Sequence, residues 1–166
     1  MTNGVTATIT ARISASLAEA PPLGSAGQTV NESVTIQLNP GTGAGNSDKM
    51  FTKAINIAAS GNTTVNLTTA LDEFGVALAL ADVQALMLEA DAGNVNNIVV
   101  GNGSNPWVGP FDAGADTKAV KPGGVWLDAD KTGWPVVAST GDIIKLTNSG
   151  GTTAVTGKLT IIGRSA

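Results

Sequence analysis

The chain has 166 residues, with 9 Lys+Arg against 13 Asp+Glu, a formal net charge of -4, and no Cys or His. That composition excludes a disulfide framework and a thiol nucleophile, and it removes the commonest general base and metal ligand. A mildly acidic chain of this length suits one domain and carries no electrostatic footprint for nucleic acid.

Charged residues make up only 13% of the chain, about half the usual share. A surface this poor in charge desolvates at little cost against a protein partner. A merely Thr- and Asn-rich β surface has the same composition, so this reading stands beside the interface reading. The first twenty residues lack a positive head and a continuous apolar stretch, so no secretory signal is expected. No apolar run approaches bilayer-spanning length, and no membrane role is expected. The Asn-x-Ser/Thr triplets at Asn31, Asn62 and Asn66 are read as chance in an Asn- and Thr-rich chain.

In chain order, Val5, Ala7, Ile9, Ala11 and Ile13 alternate with Thr6, Thr8, Thr10, Arg12 and Ser14, which predicts a half-buried strand. Pro21, Pro22, Gly24 and Gly27 mark a loop. Val34, Ile36 and Leu38 alternate next and stop at Asn39-Pro40-Gly41. A glycine-rich loop follows, and then Phe51, Lys53, Ile55 and Ile57 repeat the period of two. Val65 and Leu67 make a short strand. Residues 71–93 are rich in Ala and Leu, which favours helix. Yet Val76, Leu78 and Leu80, and then Leu86, Leu88 and Ala90, keep a period of two. The reading is strand, a helical turn at Ala81–Val83, and strand, with one continuous helix as the competitor.

The second half predicts strands at Val95–Val100, Val125–Leu127, Pro135–Ala138, Ile143–Thr147 and Val155–Ile162, with Lys118–Lys121 leading into Pro122-Gly123-Gly124. Nine or ten short strands separated by Gly, Pro and Asn describe an all-β, single-domain β-sandwich, jelly-roll-like, with at most one short helix. The division is an N-terminal strand or arm over residues 1–18 and a sandwich over 19–166. There is no exact internal repeat to suggest a solenoid or propeller.

Four features ask for chemistry, and each lacks a part. Gly41–Lys49 resembles a phosphate loop but has no terminal Gly-Lys-Ser/Thr. Asp128, Asp130 and Thr132 match the opening of a calcium loop, but Ser139 stands where its bidentate Glu belongs. Asp72-Glu73 and Glu89–Asp91 are carboxylates without companions, and Asp72 or Asp142 clustered with Glu89 would be needed for acid/base work. Ser and Thr are plentiful, but there is no Gly-x-Ser-x-Gly and no His. No catalytic, cofactor-binding or metal-ligating residue is therefore assigned, and no enzyme is expected. Of Trp107, Trp126 and Trp134, one is expected to plug the core. The others are read either as interface anchors or as further core.

The segments Leu86–Gly101, Asn105–Phe111, Val120–Gly124, Trp134, Gly141–Lys145 and Ile161–Gly163 together resemble small structural proteins of tailed bacteriophages. The resemblance covers residues 49–166. It implies a β-sandwich or jelly roll, a homo-oligomer (a trimer first), and attachment to the major capsid protein as a decoration or cement protein on the outer capsid surface. It implies no catalytic residue, cofactor or metal. Physically, such a protein buries a low-charge surface at symmetric positions. The clean alternation of Val5–Ile13 before a loop suggests a docking arm that adds a strand to a neighbour's sheet edge. The alternative reading is a tail, baseplate or fibre module for host attachment, with Trp107 or Trp134 exposed beside a glycan groove.

Overall fold

The computed structural model describes residues 4–19, 24 and 26–166. The chain is all-β, and among the described residues there is no helix. The described residues form eleven strands: β1 (Ala7–Glu19), β2 (Ala26–Pro40), β3 (Asn46–Ser47), β4 (Lys49–Ile57), β5 (Asn62–Asn66), β6 (Leu80–Ala90), β7 (Ile98–Gly101), β8 (Thr117–Val120), β9 (Val125–Pro135), β10 (Ile143–Asn148) and β11 (Val155–Ser165).

Eight of them build a β-sandwich-like body. One four-stranded sheet has the order β5-β10-β7-β8 and the other β4-β11-β6-β9. Every neighbouring pair in both is antiparallel. Alternation does the sorting. In β11, Val155, Leu159 and Ile161 are buried while Lys158 is exposed. In β10, Ile144 and Leu146 are buried between half-buried neighbours. These inward positions join Ile55, Val65, Leu86, Leu88, Ile98 and Val100 in one apolar core. Tight packing is visible at Gly157, where an added Cβ would lie 2.2 Å from the carbonyl oxygen of Glu89 on the adjoining strand β6 and 3.1 Å from Cδ1 of Ile98 in the facing sheet. On the edge strand β4, Lys53 is half-buried and pairs in register with core Leu159. An inward-leaning charge of this kind discourages a foreign strand from adding there.

Three expectations need correction. Ala81–Val83 is not a helical turn but part of β6, and neither the turn nor the competing helix exists. β6 pairs with β11 on one side and β9 on the other, and Asp82, Val83, Gln84 and Ala85 are all buried. With both faces covered, the strand loses the alternation that would mark it. The strand expected at Val76–Leu80 is mostly loop, held by an isolated bridge between Leu71 and Ala77. Pro135–Ala138 is not a separate strand. Pro135 ends β9, and Val137 makes only an isolated bridge to Gly141.

β1 and β2 stand apart from the body. They form one antiparallel hairpin in unbroken register from Ala7↔Leu38 to Glu19↔Ala26. The sequence boundary at residue 18 falls inside β1, and β2 continues the same hairpin to Pro40. The Pro21-Pro22 part of the connecting loop lies outside the described residues. β3 joins the foot of the hairpin by pairing in parallel with Asn39 and Pro40.

Candidate interaction surface

The hairpin is a ladder of thirteen register pairs. At about 3.4 Å per residue it is roughly 40 Å long. Side chains alternate across it, so register decides its two faces. One carries Thr8, Thr10, Arg12, Ser14 and Ser16 opposite Gln37, Thr35, Ser33, Asn31 and Thr29. Polar contacts cross this face: the Thr10 and Thr35 hydroxyls lie 3.2 Å apart, and Arg12 Nε donates to Asn31 Oδ1 at 3.2 Å. The other face carries Ala7, Ile9, Ala11, Ile13, Ala15 and Leu17 opposite Leu38, Ile36, Val34, Glu32, Val30 and Gln28. It is apolar except for Glu32 and Gln28, and for Glu19 opposite Ala26 at the end of the ladder.

Only the foot of that apolar face is covered. Leu38 is 1% exposed, and Ile9 and Ile36 are half-buried. Farther out, Ile13 and Val34 are 67% and 68% exposed, and Leu17 and Val30 are exposed beside them. A two-stranded hairpin with neither face buried is marginal in water. Its outer edges are a second liability, because they run long and flat with Arg12 as the only base.

The foot is fixed by a buried polar joint. The Ser47 carbonyl accepts from Val5 N at 2.9 Å and Gly41 N at 3.0 Å, tying both ends of the hairpin to one residue. The Ser47 hydroxyl donates to Gln84 Oε1 at 2.8 Å, and Gln84 Nε2 donates to the Lys131 carbonyl at 3.0 Å. Ser47 and Gln84 are both fully buried. Next to them, Asp48 receives the Ser165 amide at 2.7 Å and its hydroxyl at 2.6 Å. Arg164 pairs with Asp82 and donates from Nη1 to the Thr42 carbonyl at 3.1 Å. The glycine-rich loop at Gly41–Lys49 is therefore a brace between arm and body.

Above the foot, the arm and the outer face of the β4-β11-β6-β9 sheet enclose an open groove of about 300 Å³. Its lining is Thr8, Ile9 and Thr10 from the arm with Ala85, Met87, Leu127, Thr160 and Ile162 from the sheet. In register, Leu127–Met87–Thr160 and Ala129–Ala85–Ile162 run across the sheet as two outward rows, apolar but for Thr160. Another exposed apolar group lies near the foot. Phe74 is 90% exposed at the tip of a tight turn, with Leu71, Val76 and Met50 also exposed. The turn is rigid, because Asp72 Oδ1 accepts from Phe74 N and Val76 N, each at 2.9 Å, and Gly75 supplies φ of 76°. Sequence reasoning missed Phe74; the Asp-x-Phe-Gly pattern that builds the turn was the available signal.

The sequence-selected residues are dispersed. Asp130 Oδ1 accepts from Thr132 N at 2.7 Å, from the Thr132 hydroxyl and from Gly133 N at 3.3 Å. The Thr132 side-chain and backbone hydrogen bonds lower its pKa. It shapes a bulge of β9 rather than opening a calcium loop, and among the described residues no group of three or more His, Cys, Asp and Glu could hold a metal. Asp142 is buried and accepts from Ser139 N at 3.0 Å and Asn66 Nδ2 at 3.2 Å. Asp72 caps the Phe74 turn, and Glu89 sits opposite Lys158 on the sheet's outer face. Trp107 is buried, donates from Nε1 to the Pro135 carbonyl at 3.2 Å, and meets Trp134 edge-on at 6.3 Å. Trp126 packs on Phe111 at 5.6 Å, and Trp126 and Trp134 both lie against the core. Among the described residues, no helix is long and apolar enough to cross a membrane. Compared with known proteins, the chain matches no family model and no curated sequence.

Proposed function

We propose that this chain is a structural virion protein, a decoration or cement protein on the outer surface of a tailed-bacteriophage capsid. In this reading the eight-stranded body is a jelly roll. Its strand orders, β5-β10-β7-β8 and β4-β11-β6-β9, interleave two Greek keys in the manner of that fold. The chain closes into a homo-oligomer, a trimer first, and binds the major capsid protein. The arm carries the proposal: a low-charge hairpin with an apolar face, rigidly rooted in Ser47 and Gln84. A monomer has no use for such an element, whereas an assembly protein does. The Phe74 tip adds an aromatic anchor of the kind that dominates interface energetics. The body offers hydrogen bonds that serve its own turns and joints, and the role it supports is mechanical.

The tail or fibre reading draws on exposed Trp beside a groove. Trp107 is buried and Trp134 packs on the core, so decoration is the better-supported role. Electron cryo-microscopy of particles made from the genome that encodes this chain tests it. The expected result is density for the body repeated at equivalent outer positions of the head lattice. Absence of the chain from purified particles, or density confined to the tail, overturns the decoration role.

A further inference from the structure

The geometry points to a second copy of this chain as the occupant of the arm's free apolar face, received in the groove between the neighbour's arm and sheet. The inference rests on the reading of the chain as an assembly protein, but it concerns contacts between copies and not the shell. Three observations carry it.

The first is continuity. The apolar side chains of one hairpin face run on past the foot through Ala11, Ile13, Val34, Ala15, Val30 and Leu17, broken by Glu32, Gln28 and Glu19, yet only the foot is covered, with Leu38 at 1% exposure against 67% for Ile13 and 68% for Val34. The second is the groove itself. It lies at the arm's foot and is lined by Met87, Leu127 and Ile162 with the arm's own Ile9, alongside Thr8, Thr10 and Thr160. Each copy therefore displays both a largely apolar ridge and an apolar slot, as reciprocal arm exchange between two copies requires.

The third is area. The free stretch runs ten register pairs, from Thr10↔Thr35 to Glu19↔Ala26. It is about 34 Å long and about 10 Å wide, so one docked arm removes roughly 700 Å² from water, counting both surfaces. That alone is the size of a crystal contact. Where two copies exchange arms reciprocally, both docked arms fall in one interface and the figure doubles to about 1,400 Å², within the range of specific interfaces. A foreign surface that takes the arm and returns nothing leaves the contact at the lower figure. Exchange also buries a hairpin that is marginal on its own.

The absence of Cys makes the test direct. The whole chain is measured by light scattering, beside the double variant Ile13→Asp, Val34→Asp. Both positions are exposed, so the body should melt at the wild-type temperature. The expected native mass is at least twice the chain mass of 16.5 kDa. The double variant should associate on the order of 100-fold more weakly, tenfold for each anchor made charged. Chains carrying Ile13→Cys are then mixed with chains carrying Leu127→Cys and treated with a short bis-maleimide. A cross-link between the two kinds of chain is expected. A native chain that stays monomeric, an oligomer indifferent to the Asp substitutions, or cross-links joining only Ile13→Cys chains to each other would each overturn the proposal. A monomer that still decorates heads would sink the arm exchange while leaving the capsid role standing.

Discussion

Leu159→Ala should lower the stability of the body by about 3–4 kcal/mol, near the middle of the range for enclosed Leu→Ala changes. Leu159 is 0% exposed and stands in register between Leu88 of β6 and Lys53 of β4. Its neighbours are fixed by sheet pairing on both sides, so the space left behind cannot collapse. For a chain of this length the thermal midpoint should fall by about 10 °C. Urea unfolding and calorimetry measure both quantities. The arm lies outside this core, so self-association below the melting range should be unchanged. A loss under about 1 kcal/mol would mean that the two sheets do not close on one packed core.

Gln84→Met should be the other large effect, and its consequences should reach the arm. Met keeps the length and volume of Gln but removes both hydrogen bonds. The Ser47 hydroxyl and the Lys131 carbonyl are then left without the partners they have at 2.8 Å and 3.0 Å. Leaving buried polar groups unmatched costs about 1–3 kcal/mol, and two such groups put the expected loss near 3 kcal/mol. Ser47→Ala in the Gln84→Met background should then cost much less than Ser47→Ala alone, because the two changes remove a shared bond. Ser47 also receives the amides of Val5 and Gly41, so the arm should swing more freely in Gln84→Met. Association through the arm should weaken even though no apolar residue of the arm has changed. Additive single and double variants would refute the joint.

The strands were legible wherever one face meets the core and the other meets solvent. Val155–Ile162, Ile143–Thr147 and Phe51–Ile57 were found from alternation, and each lies in a strand of the body. The start of β6 was opaque because Asp82, Val83, Gln84 and Ala85 are buried together, the polar ones under the brace at Gly41–Lys49. A period of two cannot appear where both faces are covered. Only Val125–Leu127 of β9 is legible, because Asp130–Gly133 bulges out of register before pairing resumes at Trp134 and Pro135.

The arm was half legible. Alternation over Val5–Ile13 marked an amphipathic strand, and Val34, Ile36 and Leu38 marked another. Nothing in either pattern says that they pair with each other rather than with the body. That fact lives in the register from Ala7↔Leu38 outward and in the Ser47 joint. Asp72, Glu89, Asp130 and Asp142 lie on separate elements, and Asp72, Asp130 and Asp142 each accept local amides. The burial of Trp107 was not legible, since its flanking Pro106 and Gly109 read as loop whether the ring points in or out.

Amide hydrogen exchange at several protein concentrations tests most directly whether the hairpin is an interaction element. The body strands β6 and β11 should be protected equally at every concentration. The amides of β1 and β2 beyond Thr10 and Thr35 should be protected when the protein is concentrated and should exchange rapidly on dilution, as the covering copy leaves. Strong protection of those amides at every dilution, in a chain shown to be monomeric, would mean that the arm is stable alone and would contradict the account.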